Sequence, residues 1–174
     1  MLISESYKEQ IRFLHEKQPG WGSANKHKAT ISSMITACQS QDILDYGCGT
    51  GELGKSLPFA IKEYDPGIPG KDTAPEPADI VICSDVLEHV EPEFVDNVLF
   101  DLQRCVKKMG LFQISTRTAK EFLPDGRNAH LTLMNWDWWV RKIGNLFHIT
   151  SLRMDHYLVG GGQDIVIIVT PSEK

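Results

Sequence analysis

Hydrophobic residues recur along the chain with two periods, one typical of helices and one typical of strands. Near the N-terminus, Tyr7, Ile11 and Leu14 fall on one helical face, and Ser4 is a suitable N-cap. These features predict an amphipathic helix that ends at about residue 17. A second helix is expected to follow it and to end near Ser40.

The middle of the chain contains four short runs that predict strands, of which the first and the third are apolar enough to be buried. They are DILDY (42–46), AIKEYD (60–65), DIVICS (79–84) and LFQIST (111–116). A short helix is expected after the first run and a longer one before the fourth. The longer helix has Pro92 at its start, Lys107 and Lys108 in its last turn, and Gly110 just beyond it. Segment 66–78 is rich in Pro and Gly, which predicts a loop.

The C-terminal part predicts a helix followed by a hairpin. The helix covers residues 135–145 and contains three tryptophans, and the hairpin joins FHITSLRM to IVIIVT through glycines 160–162. Strands that alternate with helices and close with a hairpin indicate a three-layer α/β domain, whose sheet is parallel apart from its last strand. We expect one domain over 1–174, with N-terminal helices in 1–40 and the core in 41–174.

Composition and charge limit the classes of function that are expected for this chain. At 174 residues, 41% of them hydrophobic and 24% charged, the chain has the size and composition of one globular domain. A formal charge of −5 gives no general attraction to phosphate backbones, so no nucleic-acid partner is expected. No apolar run could cross a bilayer and no signal-peptide pattern is present, which predicts a cytoplasmic protein without a membrane partner. The four cysteines form no CxxC pair, so no metal site is predicted.

The sequence DYGCGTGELG, residues 45–54, follows the first predicted strand and satisfies two glycine fingerprints. The glycines from Gly49 onward match the GxGxxG of dinucleotide sites, whereas the DxGxGxG that begins at Asp45 suits a nucleoside bound without phosphates. A carboxylate before the turn would repel pyrophosphate and attract a cation. Asp65, which ends the next strand, follows Gly49 by 16 residues rather than the usual distance of about 20. Both points favour the second fingerprint, and a structural turn without a ligand is the remaining alternative.

Three segments in this order, ILDYGCGTGELG, EYDP and ADIVICSDVLEHVEPE, resemble the class I S-adenosylmethionine-dependent methyltransferases. The resemblance is detailed over residues 43–90 and follows strand and helix order over most of the chain. It implies a Rossmann-like methyltransferase fold, S-adenosylmethionine as cofactor and a small-molecule or glycan-type acceptor, in a monomer or homodimer. Transfer from an activated sulfonium needs mainly positioning, so the acceptor site carries no motif of its own.

The resemblance also implies roles for single residues. The glycine turn would hold the methionine part of the cofactor, through Asp45, Gly47, Cys48, Gly49 and Gly51. Asp65 would bind the ribose hydroxyls, and the segment that begins with Ser84 and Asp85 would border the site of methyl transfer. The family's third strand is expected to be very short or missing here. Asp72 is the candidate for the acid that contacts adenine.

Candidate acid–base residues lie near the same segment. Asp85 and His89 are four positions apart and are expected to face the acceptor together, while His130 belongs to a polar loop after the last parallel strand. For both histidines, local packing is the alternative role. Glu88 and His156 are further candidates.

Other side chains suggest acceptor contacts. Arg127 and Asn128 are candidates for binding an anionic acceptor, and Trp21 for covering the cofactor. At least one tryptophan near the predicted C-terminal helix is expected to line a pocket, the group being Trp136, Trp138 and Trp139.

Two other functions are compatible with the sequence. A nicotinamide-dependent oxidoreductase would use the GxGxxG fingerprint but is disfavoured by Asp45 and by the short spacing. A non-catalytic cofactor-binding or regulatory module would keep the fold without turnover. Methylation of nucleobase amines is disfavoured, because SDVLEHV stands where that chemistry uses an Asn/Asp-Pro-Pro-aromatic motif.

Overall fold

The computed structural model describes residues 1–17, 24–156 and 163–172. Its α-helices are α1 (Glu5–Lys17), α2 (Lys28–Cys38), α3 (Glu52–Ser56), α4 (Val95–Cys105) and α5 (Trp136–Gly144). Its strands are β1 (Ile43–Tyr46), β2 (Lys62–Tyr64), β3 (Ala78–Ser84), β4 (Val106–Ser115), β5 (Phe147–His156) and β6 (Gln163–Pro171). Short 3₁₀ turns cover Ala24–His27, Leu87–His89 and Pro92–Phe94.

The strands form one sheet in the order β2-β1-β3-β4-β6-β5. All neighbouring pairs from β2 to β4 are parallel, while β6 runs antiparallel to both β4 and β5. The predicted α/β fold with one antiparallel strand is therefore confirmed. The carboxyl ends of β1, β2 and β3 consequently meet at one edge, where α/β sheets bind their ligands.

Alternate side chains of the buried strands point to the two faces of the sheet. Leu44 and Val81 pack into the cluster that contains α4 and α5, whereas Ile43 and Ile80 pack into the cluster that contains α2 and α3. All four are at most 1% exposed. Near-continuous apolar runs thus form this sheet because both of its faces are covered.

The boundary between α4 and β4 corrects one prediction. The helix ends at Cys105 and the strand starts at Val106, so Lys107, Lys108 and Gly110 lie in β4 and not at the end of a helix. Pairing on both sides explains the difference, since β4 pairs with β3 from residue 106 and with β6 from Gly110 onward. A Cβ on Gly110 would lie 2.9 Å from a methyl carbon of Val169, so this glycine permits close strand packing.

Residues 66–77 form turns without a strand or helix, so the expected loss of the third strand is observed. The C-terminal hairpin of β5 and β6 is present, while its predicted glycine turn, like Trp21, lies outside the described residues. Within the described ranges, no helix is long and apolar enough to span a membrane.

Candidate active site

The glycine turn between β1 and α3 has a backbone that glycine alone adopts readily. Gly47, Gly49 and Gly51 have φ values of 78°, 51° and 82°. A Cβ on Gly47 would also lie 2.4 Å from a methyl carbon of Val86, so strain and lack of space both exclude a larger residue. The amides of Gly47 and Cys48 donate hydrogen bonds of 2.7 and 3.0 Å to the Tyr64 carbonyl, which fixes the turn to the end of β2.

Asp65 connects the end of β2 to this turn. Its side chain is 7% exposed. One carboxylate oxygen accepts a 3.0 Å hydrogen bond from the Gly49 amide, and the other accepts a 2.8 Å bond from the Gly67 amide. The carboxylate is therefore held at the carboxyl edge of the sheet.

Asp45 is a buried acid at the end of β1, 5% exposed. Burial, and then the charge of Glu63, raise its pKa to about 7, while Lys71 acts in the opposite direction. Such a carboxyl exists in both protonation states near neutral pH, and a cation beside it would favour the ionised form.

A cavity of about 110 Å³ connects these acids with the end of β3. Seven of the residues predicted for the site line it, namely Asp45, Gly47, Cys48, Asp65, Ser84, Asp85 and His89. Gly49 and Gly51 shape the turn without lining the cavity. Asp72 also lies outside the lining, because its carboxylate pairs with Lys8 at 3.4 Å on the protein surface.

Helix α1 closes the cavity, which the sequence did not indicate. Tyr7, Ile11 and His15 of this helix line it. Ser4 accepts a hydrogen bond from the Tyr7 amide, as predicted for an N-cap, and its own amide and hydroxyl donate to the two carboxylate oxygens of Glu91 at 2.8 and 2.7 Å. The start of α1 is thereby tied to the segment that precedes α4.

Asp85 and His89 face the same cavity, as their spacing predicts. Asp85 has φ 62°, a left-handed conformation that is uncommon outside glycine. His89 Nδ1 donates a 2.8 Å hydrogen bond to the Ala129 carbonyl. Burial and then the neighbouring His130 lower the pKa of His89 to about 4, so the ring is neutral at neutral pH.

His130 supports His89 from outside the cavity. The two rings meet edge to face with centroids 4.6 Å apart, and His130 Nδ1 is bonded to the Arg117 carbonyl. Since the carbonyls only accept, both Nδ1 atoms carry a proton, and the lone pair of the neutral His89 ring is on Nε2.

The loop residues that were candidates for an anionic acceptor have other partners. Arg127 pairs with Asp125 at 2.7 Å, and Asn128 bonds the amide and carbonyl of Ala119, each at 2.9 Å. No tryptophan of the described chain lines the cavity: Trp139 is fully buried in the core, and Trp138 packs under the Lys142 ammonium. His156 ends β5 at the far edge of the sheet.

Glu88 is the most deeply buried acid near the site, with no exposed surface. One of its oxygens accepts a 2.6 Å hydrogen bond from the Ser115 amide, and the other has no hydrogen-bond partner in the described residues. Burial, and then the charge of Asp85, raise the Glu88 pKa well above its ordinary value.

Comparison with protein families identifies the family to which the chain belongs. Residues 11–155 match the model of a family described as a methyltransferase domain. The chain belongs to this methyltransferase family. It is therefore a class I S-adenosylmethionine-dependent methyltransferase, as the three sequence segments indicate, and the oxidoreductase alternative is excluded. No curated protein sequence matches the chain significantly.

Solved methyltransferase structures share the fold at low sequence identity. The Burkholderia thailandensis 1,6-didemethyltoxoflavin-N1-methyltransferase, with bound 1,6-didemethyltoxoflavin and S-adenosylhomocysteine, is 13% identical, with a TM-score of 0.68 over 99% of this chain and 92% of that one. The N-methyltransferase NodS of Bradyrhizobium japonicum is 11% identical, with a TM-score of 0.64 over 97% and 98%. The magnesium protoporphyrin IX methyltransferase of Synechocystis, with bound S-adenosylmethionine, is 16% identical, with a TM-score of 0.58 over 96% and 94%.

Proposed function

We propose that this methyltransferase transfers a methyl group from S-adenosylmethionine to a small-molecule acceptor, or to a glycan of similar size, by direct displacement. The observation that carries the proposal is the single cavity that joins the glycine turn and Asp65 to Asp85 and His89. One cavity of this kind brings a donor and an acceptor into contact, and such alignment can contribute several kcal/mol to catalysis. The named substrates of similar structures, didemethyltoxoflavin and magnesium protoporphyrin, are small molecules.

The residues around the glycine turn fit the cofactor. Gly47 lines the cavity without a side chain, which lets a ligand approach the backbone of the turn closely. Asp45 would face the cationic methionine end, together with Cys48, Gly49 and Gly51, and the Asp65 carboxylate would accept hydrogen bonds from the ribose hydroxyls. Asp72 remains the candidate for contact with the adenine of the cofactor. For this contact, the ion pair between Asp72 and Lys8 would have to separate.

The cofactor's sulfonium supplies an activated methyl group, so the protein's main tasks are orientation and exclusion of water. Ser84 and Asp85 would border the methyl group, and α1 covers the cavity from the side of Tyr7 and Ile11. Neutral His89, held by the Ala129 carbonyl and the His130 ring, would contact the acceptor directly as a hydrogen-bond acceptor and weak base.

Titration calorimetry with S-adenosylhomocysteine tests the proposal. Asp65→Asn keeps the size of the side chain but removes its charge, so we expect the dissociation constant to rise at least tenfold, about 1.4 kcal/mol. Asp125→Asn, a surface acid paired with Arg127, is the matched control and should bind like the wild type. Absence of binding by the wild type, or equal binding by the Asp65 variant, contradicts the assignment.

A further inference from the structure

The charges that line the cavity are unbalanced. Four carboxyl groups face it, Asp45, Glu52, Asp65 and Asp85, and its described lining contains no Lys or Arg. Burial lowers the pKa of both lining histidines, His15 and His89, so neither supplies a positive charge at neutral pH. S-adenosylmethionine carries a net charge of only about +1, which does not balance Asp65, Asp85 and the ionised fraction of Asp45.

Of the four lining acids, Glu52 is paired with the Lys55 ammonium at 2.6 Å, and two other cations near the cavity are paired with acids outside its lining. The Lys71 ammonium pairs with Glu63 at 2.9 Å, and Arg127 pairs with Asp125 at 2.7 Å. The internal segments outside the described residues, 18–23 and 157–162, contain no Lys or Arg. An anionic acceptor would therefore enter a negatively charged cavity whose described lining offers no lysine or arginine to bind it.

Asp85 is the carboxylate on the proposed acceptor side of the cavity, because it follows β3. The other three acids lie around the glycine turn: Asp45 in β1, Glu52 at the start of α3 and Asp65 just after β2. The position of Asp85 is fixed by Gln113, which is 1% exposed. The Gln113 carbonyl accepts a 3.1 Å hydrogen bond from the Asp85 amide, and its side-chain nitrogen lies 3.5 Å from an Asp85 carboxylate oxygen. The same side chain bonds Ser84 Oγ at 2.8 Å and Asp164 at 3.2 Å, so it is itself held rigidly.

We infer that the acceptor is an amine or a related basic nitrogen compound, whose nitrogen binds beside the Asp85 carboxylate. The inference rests on the proposed methyl transfer and adds the acceptor class to it. The nitrogen enters as the free base, and its lone pair forms the new N–C bond while the electrons of the broken C–S bond pass to sulfur. Positive charge thereby moves from sulfur to nitrogen, beside a fixed carboxylate that stabilises it, until a proton leaves to water.

Sinefungin tests the charge at the position of methyl transfer. In this molecule a carbon that bears an ammonium group replaces the sulfur and its methyl, whereas S-adenosylhomocysteine carries nothing there. We expect the wild type to bind sinefungin at least tenfold more tightly than S-adenosylhomocysteine by calorimetry. In Asp85→Asn the preference should fall below threefold. Asparagine is the matched replacement because it tolerates positive φ and keeps the side-chain size.

The outcomes separate the inference from the proposed function. Equal affinities for the two ligands in the wild type, or a preference that survives in Asp85→Asn, overturn the inference and leave the cofactor site intact. If neither ligand binds the wild type, the proposed function fails, and the inference with it. Asp125→Asn is the control and should keep the wild-type preference.

A second measurement tests the acceptor directly. Labelled S-adenosylmethionine is incubated with the protein and a metabolite extract, and the product is separated from the cofactor by chromatography. We expect label that is retained by a cation exchanger at pH 7 and that resists mild alkali, as an N-methyl group does. Label that alkali releases as methanol, which indicates a methyl ester, or that an anion exchanger retains, contradicts the inference.

Discussion

Cofactor binding is expected to release a proton from Asp45. Its carboxyl is 5% exposed and has a pKa of about 7, raised first by burial and then by Glu63. A ligand ammonium about 4 Å away would favour the ionised form by about 4 kcal/mol at an effective dielectric constant of about 20, roughly a thousandfold in the proton-binding equilibrium. The carboxyl would therefore be fully ionised in the complex.

The number of protons released equals the fraction of Asp45 that is protonated in the free protein. A group with a pKa of about 7 is about half protonated at pH 7, about nine-tenths protonated at pH 6 and about one-tenth protonated at pH 8. Because the raised pKa is lowered on binding, the proton leaves the protein, and S-adenosylhomocysteine should bind more tightly as the pH rises from 6 to 8.

Calorimetry in buffers of different ionisation enthalpy measures the number of protons released. This number is the slope of the observed binding enthalpy plotted against the ionisation enthalpy of the buffer. We expect a slope of about half a proton at pH 7 and about nine-tenths at pH 6. In Asp45→Asn, which cannot ionise, the slope should be near zero at both values. A wild type that binds S-adenosylhomocysteine with a slope near zero at pH 6 would refute the reasoning.

Two further outcomes are expected. His89, with a pKa of about 4, stays neutral from pH 6 to 8, so its titration should cause no inflection in the pH profile of kcat/KM over this range. An inflection near pH 6.5 that is present in the wild type and lost in His89→Gln would contradict the burial argument. Gly47→Ala should lower the free energy of unfolding in urea by at least about 1–2 kcal/mol, because φ is 78° and the new methyl would meet Val86, and Val86→Ala should restore part of the loss. If Gly47→Ala and the double variant with Val86→Ala were both as stable as the wild type, the turn would have adapted to the new methyl group, and this prediction would be wrong.

The sequence predicted the parts of the molecule that local patterns determine. Strands β1 and β3 are buried on both faces, so their apolar runs are nearly continuous and easy to find. Asp85 and His89 line one cavity, as their spacing suggested, because the 3₁₀ turn that ends at His89 is formed by neighbouring residues. The end of α4 was wrong by several residues, because pairing with β3 and β6 determines where β4 begins.

Long-range contacts were not predictable from these patterns. Helix α1 was recognised from its apolar face, but nothing in that face indicates that it covers the ligand cavity. Gln113 carried no signal, since a single glutamine in an apolar strand becomes informative only when Ser84 and Asp164 are found beside it. Arg127 was a candidate for anion binding until its pairing with Asp125 became visible.

The shortened segment 66–77 shows how Asp65, the acid proposed to bind ribose, is held in this structure. The Asp65 amide donates a 2.9 Å hydrogen bond to the Lys71 carbonyl, so the chain turns back on the end of β2 within six residues. Lys71 then reaches the Gly49 carbonyl at 3.3 Å and pairs with Glu63.

The Lys71–Glu63 pair is partly exposed and contributes little energy by itself, about 1 kcal/mol or less. Its position matters more, because Glu63 occupies the space that a Cβ on Gly51 or Gly54 would need, at 2.5 and 2.4 Å. Gly54 thus completes the GxGxxG pattern for a reason unrelated to pyrophosphate: it lets α3 approach β2. The amides of Gly49 and Gly67 and the turn closed by the Lys71 carbonyl hold Asp65 at the cavity, although the described residues have no strand between β2 and β3.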